Sequence, residues 1–450
     1  MRQNLPHHQV RHALSRRSLL LGGTAAAAAA ACGRSGAGSA SRPPARVRVL
    51  ARTEYDGPAW QVFNEASTTV QVDVEQVAGN VALEQGGIST RDYGAKVLAM
   101  VAADAAPDVV YTHANFFSSL ASLQALADVE KLAAGTKFDL KGIQQELLDS
   151  NRWNGVLSAL PYSGVANVVV FNAGQFQKRG VTLPPEQVRA GRWTWEGFRQ
   201  SLQQLTVRQP GQPAEVGMPQ HFSGLVYISQ WIFGAGGQVW SKDVKSALLD
   251  SRESTAALEF LAGLHHKDRV AIQPEERAEF GDNAQEGFPT GRVALRFRAT
   301  TELHFYRQMA EEGARLGVAP VPSGPAGTTP RGAANSWGIW SHSKAPEAAW
   351  HAATAWHADP VLKFLFANRY IFPCRQAQFE HAAFRAALFP WEDLETERAA
   401  LRDVRIMATP ARFTEIDELW LRLWPAARDG RRSIGDLLGE FLPQATSLLR

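Results

Sequence analysis

The chain has 450 residues, 45% of them apolar and 20% charged, so it can bury a core, and at about 150 residues per domain it suggests two or three domains rather than a disordered or collagen-like chain. Its 47 basic and 44 acidic residues give a formal charge of +3, but residues 1–31 hold four arginines and no acid, which leaves 43 basic against 44 acidic groups in the rest. That balance disfavours nucleic-acid binding through a generally basic surface, and two cysteines cannot make a disulfide scaffold.

The first residues concern address. Arg16 and Arg17 precede an uncharged run from Leu19 to Ala31, followed by Cys32. A run of 13 residues is too short for a spanning helix, which needs roughly 20, and the pattern fits a cleavable export signal over 1–31. The twin arginine resembles the signature of the Tat route, which carries folded proteins. Cys32 stands where lipoprotein signals place the cysteine that is lipidated; the alternative is an ordinary cut near the alanines. The Gly, Ser, Ala and Pro composition of 32–45 predicts a flexible tether. With Cys32 lipidated, Cys374 is predicted to be a free, buried thiol.

From Val47 two periodicities alternate. Val47 to Leu50 reads as a strand, Pro58 to Ala66 as a helix, and Val70 to Val74 as a second strand with strict alternation. Ser89 to Ala103 predicts a helix that Pro107 stops, before a third strand at Val109 to Tyr111. Strands alternating with helices argue for a parallel or mixed α/β sheet. Val168 to Phe171 is a continuous apolar run, as in a strand covered on both faces. Asp250-x-x-Glu253 resembles a capping box before a helical stripe through Leu264, Arg292 to Phe297 reads as a strand, and Pro346 opens a helix. Trp350, Trp356, Trp420 and Trp424 lie on helical stripes and read as core.

The order of short motifs is more specific than any one of them: Pro107-Asp108-Val109-Val110, Leu160-Pro161-Tyr162, Val169-Val170-Phe171-Asn172, Trp193-Thr194-Trp195-Glu196, Gly236-Gly237, Gly291-Arg292-Val293-Ala294, Pro320-Val321-Pro322 and Ala345-Pro346-Glu347-Ala348-Ala349-Trp350. Over about residues 46–375 this series resembles the extracellular solute-binding proteins of bacterial ABC importers, in the sugar-binding branch similar to maltose-binding protein. The resemblance implies an α/β, two-lobed periplasmic-binding-protein fold with a hinge and an interlobe cleft. Lobe 1 would take 46–162 plus 318–360 and lobe 2 would take 163–317 plus 361–450, with crossings near 162–166, near 317–321 and after Pro360. It also implies a monomer that captures a sugar, uses no cofactor, and delivers its ligand to permease subunits in the membrane, from the periplasm or from a lipid anchor on the outer face of the cytoplasmic membrane.

A sugar presents hydroxyls at its edge and C–H groups on its faces, so its site needs aromatic platforms and planar hydrogen-bonding groups. Of the 13 tryptophans, Trp231 and Trp337 lie where the family places ligand contacts, with Tyr162 at the hinge as a third platform. Ligands in open α/β sheets sit beyond the carboxyl ends of strands, which selects Glu54 and Tyr55, then His113 and, ahead of it, Asn115, and then Arg298 with Thr300; Asn335 accompanies Trp337. For Glu54 and Arg298 the alternative is a structural ion pair. Pro373 to Arg375 resembles the family's Pro-x-Arg near the cleft.

Hydrolase, protease, P-loop and dinucleotide motifs are missing from the sequence, and adjacent His265 and His266 point about 100° apart on a helix, a poor metal pair. The rivals are a secreted glycoside hydrolase, which needs two carboxylates such as Glu54 and Glu302 across a bond, a binder of a sugar acid or polyol, and a protein that delivers its ligand to a sensor.

Overall fold

The computed structural model describes residues 43–76, 90–219, 223–280 and 287–449; Arg16, Arg17, Cys32 and most of the expected tether lie outside them. Nine strands are present in this part: β1 (Ala45–Ala51), β2 (Val70–Gln76), β3 (Val109–Thr112), β4 (Arg152–Trp153), β5 (Val156–Leu157), β6 (Leu160–Asn172), β7 (Leu295–Ala299), β8 (Leu316–Ala319) and β9 (Gly332–Ile339). Helices Asp56–Ala66 and Thr90–Ala102 connect β1, β2 and β3, and both β2 and β3 pair with β1 in parallel, as the alternating pattern predicts.

A seven-stranded sheet runs β2-β1-β3-β9-β6-β7, with β8 also on β6. β6 is the spine of this arrangement. Its first half, from Leu160 to Ala166, pairs antiparallel with β9, and its second half, from Asn167, pairs antiparallel with β7 and β8. The apolar run at 168–171 is therefore the C-terminal part of a longer strand buried along its whole length. Its alternation feeds two cores: Val168 and Val170 join one, Val169 and Phe171 the other.

The first core gathers β1, β3 and β9 with Trp60, Trp350 and Trp356, and it extends over one face of β6–β8 through Val318, Phe288 and Tyr306. The second packs the opposite face of that sheet against helices Trp195–Leu205, Leu225–Gly234, Arg252–His266, Phe413–Arg428 and Ile434–Leu448. Trp350, Trp356, Trp420 and Trp424 are all buried, as their helical stripes predict, and Cys374 is a buried free thiol whose pKa burial pushes up to about 12.

Three local expectations change. Ser251, not Asp250, caps the helix from Arg252: its hydroxyl accepts the Ser254 N–H at 3.1 Å. After β8 the chain stays with the second body, where Ser323 N–H donates to Trp193 O (3.0 Å) and Ala326 N–H to Gly234 O (2.8 Å), so it passes to β9 near Arg331 rather than at 317–321. Residues beyond Pro360 do not move directly to the second core either. Val361, Phe366, Phe372, Phe384, Leu401 and Val404 pack in the first, and Met407 is the first residue after them in the second. The apolar faces of 361–404 match the α/β body they leave, a tertiary pairing that short motifs do not encode.

Candidate functional site

β1, β3 and β7 all end at one place. After β1, the turn Arg52–Tyr55 is held by buried Asp56 at the start of the next helix, whose carboxylate accepts Arg52 N–H (2.7 Å), Thr53 N–H (2.9 Å) and the Thr53 hydroxyl (2.6 Å). This fixes Glu54 and Tyr55 at the strand end. After β3 come His113 and Asn115, and Asn115 N–H donates to His113 Nδ1 (3.2 Å). After β7 the chain turns into a 3-10 helix, Thr300–Tyr306, where the Glu302 carboxylate accepts Ala299 N–H (3.1 Å).

A cavity of about 130 Å³ lies among these ends, lined by Glu54, Tyr55 and His113 from one side and by Tyr227, Glu302, His304 and Phe305 from the other, with Arg331 and Asn335 beside them. The two sides approach at Glu54 Oε1 and His304 Nε2, 3.7 Å apart. Asn335 Oδ1 accepts the Tyr111 hydroxyl (2.8 Å), and the Arg52 guanidinium lies 4.5 Å above the Tyr111 ring. Tyr55 stacks on Tyr370 with centroids 4.9 Å apart. Tyr227, 47% exposed, carries the Arg331 guanidinium 4.7 Å over its ring. Larger cavities exist. One of about 490 Å³ is lined by residues of the first body alone, among them Phe63, His351 and Pro360. Another of about 790 Å³ runs between Trp153 and Lys242 and reaches Ala114, next to His113. The smaller one has the strand ends, the contribution from both bodies and the polar groups that converge.

Burial sets the charges here. It pushes the His113 imidazole down to about 3, with Arg331 and Arg52 adding to the effect, so the ring is neutral and its Nδ1 is free to accept. Burial alone would raise Glu302, but Arg298, the Ala299 N–H and Arg331 outweigh it and hold the carboxyl below its ordinary range.

The sequence candidates divide. Glu54, Tyr55 and Asn335 line the cavity. Asn115 is half-buried in the adjoining turn, outside the lining. Arg298 forms the structural ion pair: its Nη1 is 3.5 Å from Glu302 and its Nε donates to the Tyr306 hydroxyl at 2.5 Å. The three expected platforms are core. Trp337, 0% exposed, sits in β9 between β3 and β6 and stacks on Tyr162 (5.2 Å), itself 1% exposed. Trp231, 2% exposed, packs among Trp195, Phe198, Phe260 and Phe297. Arg375 donates to Asp139 O (2.7 Å) and covers Phe138, away from the cavity. Sequence reasoning missed Arg52, Tyr227, His304 and Arg331; Arg52 alone had a signal, directly after a predicted strand.

Residues 49–356 match the family model described as "Bacterial extracellular solute-binding protein". The chain belongs to this family. No curated protein matches the solute-binding protein in sequence. Its fold is that of solved two-lobed binding proteins. The ABC substrate-binding protein Lmo0181 of Listeria monocytogenes, in complex with cycloalternan, is 18% identical with a TM-score of 0.78, over 90% of this chain and 99% of that one. The GacH receptor of Streptomyces glaucescens, solved unliganded and with acarbose, is 17% identical with a TM-score of 0.73, over 91% and 99%. The sugar-binding protein MalE of Xanthomonas citri is 16% identical with a TM-score of 0.71, over 90% and 97%.

Proposed function

We propose that this solute-binding protein captures a carbohydrate between two lobes and delivers it to the permease of an ABC importer. The observation that carries the reading is the cavity at the joint ends of β1, β3 and β7, lined by the rings of Tyr55, Tyr111 and Tyr227 and by the planar polar groups of Glu54, Glu302 and Asn335. Solved relatives of the same fold bound to cycloalternan and acarbose support it. Among the described residues, those within 44–166 and 331–404 form lobe 1 and the rest to 449 form lobe 2; ligand contacts on both favour the closed state.

The protein is a monomeric binder, not an enzyme. A glycosidase needs a carboxylic acid with a raised pKa as proton donor, whereas Glu302 is held low. Arg16 and Arg17 direct export by Tat, and a lipid on Cys32 holds the protein outside the membrane; no helix among the described residues is long and apolar enough to cross one. Cys32→Ser releases the protein from the membrane fraction if the anchor is real, and Arg16→Lys with Arg17→Lys blocks export if the route is Tat.

The test of binding is a thermal-shift screen over mono- and oligosaccharides, since a ligand at 100 times its Kd adds about 2.7 kcal/mol. A saturable shift without turnover of labelled oligosaccharide is expected. Turnover would return the hydrolase reading, and no shift with any saccharide would overturn the carbohydrate one.

A further inference from the structure

Arg331 enters the cavity lining immediately before β9 and is 5% exposed. Its Nη2 donates to Asn167 Oδ1 (3.1 Å), its own N–H to Gln230 Oε1 (3.5 Å), and its plane rests on Tyr227. Its Nε and Nη1 have no hydrogen-bond partner among the described residues, and it forms no ion pair with any of them. The carboxylates of the cavity are directed elsewhere. Glu302 feels Arg331 through space but is paired with Arg298, Glu54 faces His304, and Asp56, outside the lining, accepts the backbone of the Arg52 turn. Buried Arg296, beside Arg298, adds another positive group nearby.

A buried cation without a counter-charge costs far more than a buried amide, and buried charges are normally paired. The vacant Nε and Nη1 donors lie on opposite edges of the planar guanidinium, so each can take one acceptor, and a charged oxygen of a carboxylate or phosphate at one edge supplies the missing counter-charge. We propose that Arg331 receives an anionic group of the ligand, so that the solute is an acidic saccharide, a sugar acid or a sugar phosphate, rather than a neutral sugar. The proposal rests on the carbohydrate reading of the cleft for the sugar and on Arg331 for the charge. The ring is held by Tyr55 and Tyr227, and an anionic oxygen lies against a vacant edge of Arg331.

The experiment is calorimetry and thermal shift on the whole mature protein with matched probes: glucose, glucuronate, glucose 6-phosphate, galactose, galacturonate and, as a non-sugar anion, citrate. Glucuronate against glucose 6-phosphate distinguishes carboxylate from phosphate. The acidic member of a pair is expected to bind roughly 10- to 100-fold tighter than the neutral one, the range of a charge-assisted hydrogen bond, and Arg331→Met should erase that preference. A neutral sugar bound as tightly as its acid overturns the proposal and leaves the carbohydrate reading standing. Citrate bound to the exclusion of every sugar, with the binding lost in Arg331→Met, overturns the carbohydrate reading and supports the anion. A ligand-free measurement decides the matter if no probe binds: Arg331→Met should keep or raise the unfolding midpoint, because it removes an uncompensated charge. A marked fall would make Arg331 a structural cation and overturn the proposal.

Discussion

Four arginines are buried among the described residues, Arg296, Arg331, Arg369 and Arg428, and the surroundings of Arg331 and Arg369 differ in one respect. Arg369, 0% exposed, has Glu397 at 2.6 Å and Glu392 at 3.2 Å, and packs against Phe372 and Phe384. Arg331 is nearly as buried and has an amide, a ring and no carboxylate. Burial alone therefore does not mark a functional group. What separates the two is whether the chain sets carboxyl groups directly against the guanidinium: two at Arg369, inside one body, and none within ion-pair distance of Arg331, between two.

The sharpest way to break this comparison is to replace each arginine by methionine. Arg369→Met leaves two carboxylates buried without a cation and should cost about 3–5 kcal/mol in chemical denaturation, while Arg331→Met should cost little or nothing. Equal losses would erase the distinction.

The pH dependence sharpens it further. Two carboxylates share one guanidinium, and burial first, then Glu392, pushes the Glu397 carboxyl from 4.5 up to about 8 against the pull of Arg369. The folded protein thus keeps a proton that the unfolded chain loses near 4.5, so this stabilisation is complete below that value and is lost as pH rises through about 8. Unfolding midpoints should fall over that window, and Glu397→Gln should flatten the fall. His113, beside Arg331, has the opposite sign. Its imidazole is held down to about 3 from 6.5, so its contribution is complete above 6.5 and is lost as pH falls toward 3.

Smaller effects concern the contacts of Arg331. Tyr227→Ala, at an exposed ring, should leave the midpoint within about 0.5 kcal/mol and weaken ligand binding roughly tenfold by calorimetry, as loss of a stacking face does. A large loss of stability would make Tyr227 part of the core. Asn167→Ala removes the side-chain acceptor of Arg331 and should cost about 1 kcal/mol; a loss as large as that of Arg369→Met would show that Arg331 is anchored as firmly as Arg369.

The sequence made the α/β alternation and the strand ends legible because both rest on local patterns: β1 and β3 with their helices, and Glu54 and Tyr55 one turn beyond β1. The helical tryptophans read as core for the same reason. Trp337 and Trp231 did not. A tryptophan near a glycine turn or a strand gives the same local pattern whether its ring faces a ligand or an interior, and only the placement of β9 between β3 and β6 encloses Trp337. Tyr227 was hidden because it is one outward ring on an otherwise apolar, buried helix. Arg331 was hidden because its meaning lies in partners it lacks, and a missing partner leaves no trace in a string of residues.

β9 also governs how the chain comes together in time. It lies between β3 and β6 in the sheet but is made last of all nine strands. Until residue 339 has emerged, β3 and the first half of β6 are open edges, each able to pair with a neighbouring chain. Contacts of this range slow folding, and a fragment ending before Gly332 would expose both edges together. Synthesis must therefore pass three quarters of the chain before both edges can be covered, and aggregation of truncated products should rise up to that point and drop beyond it.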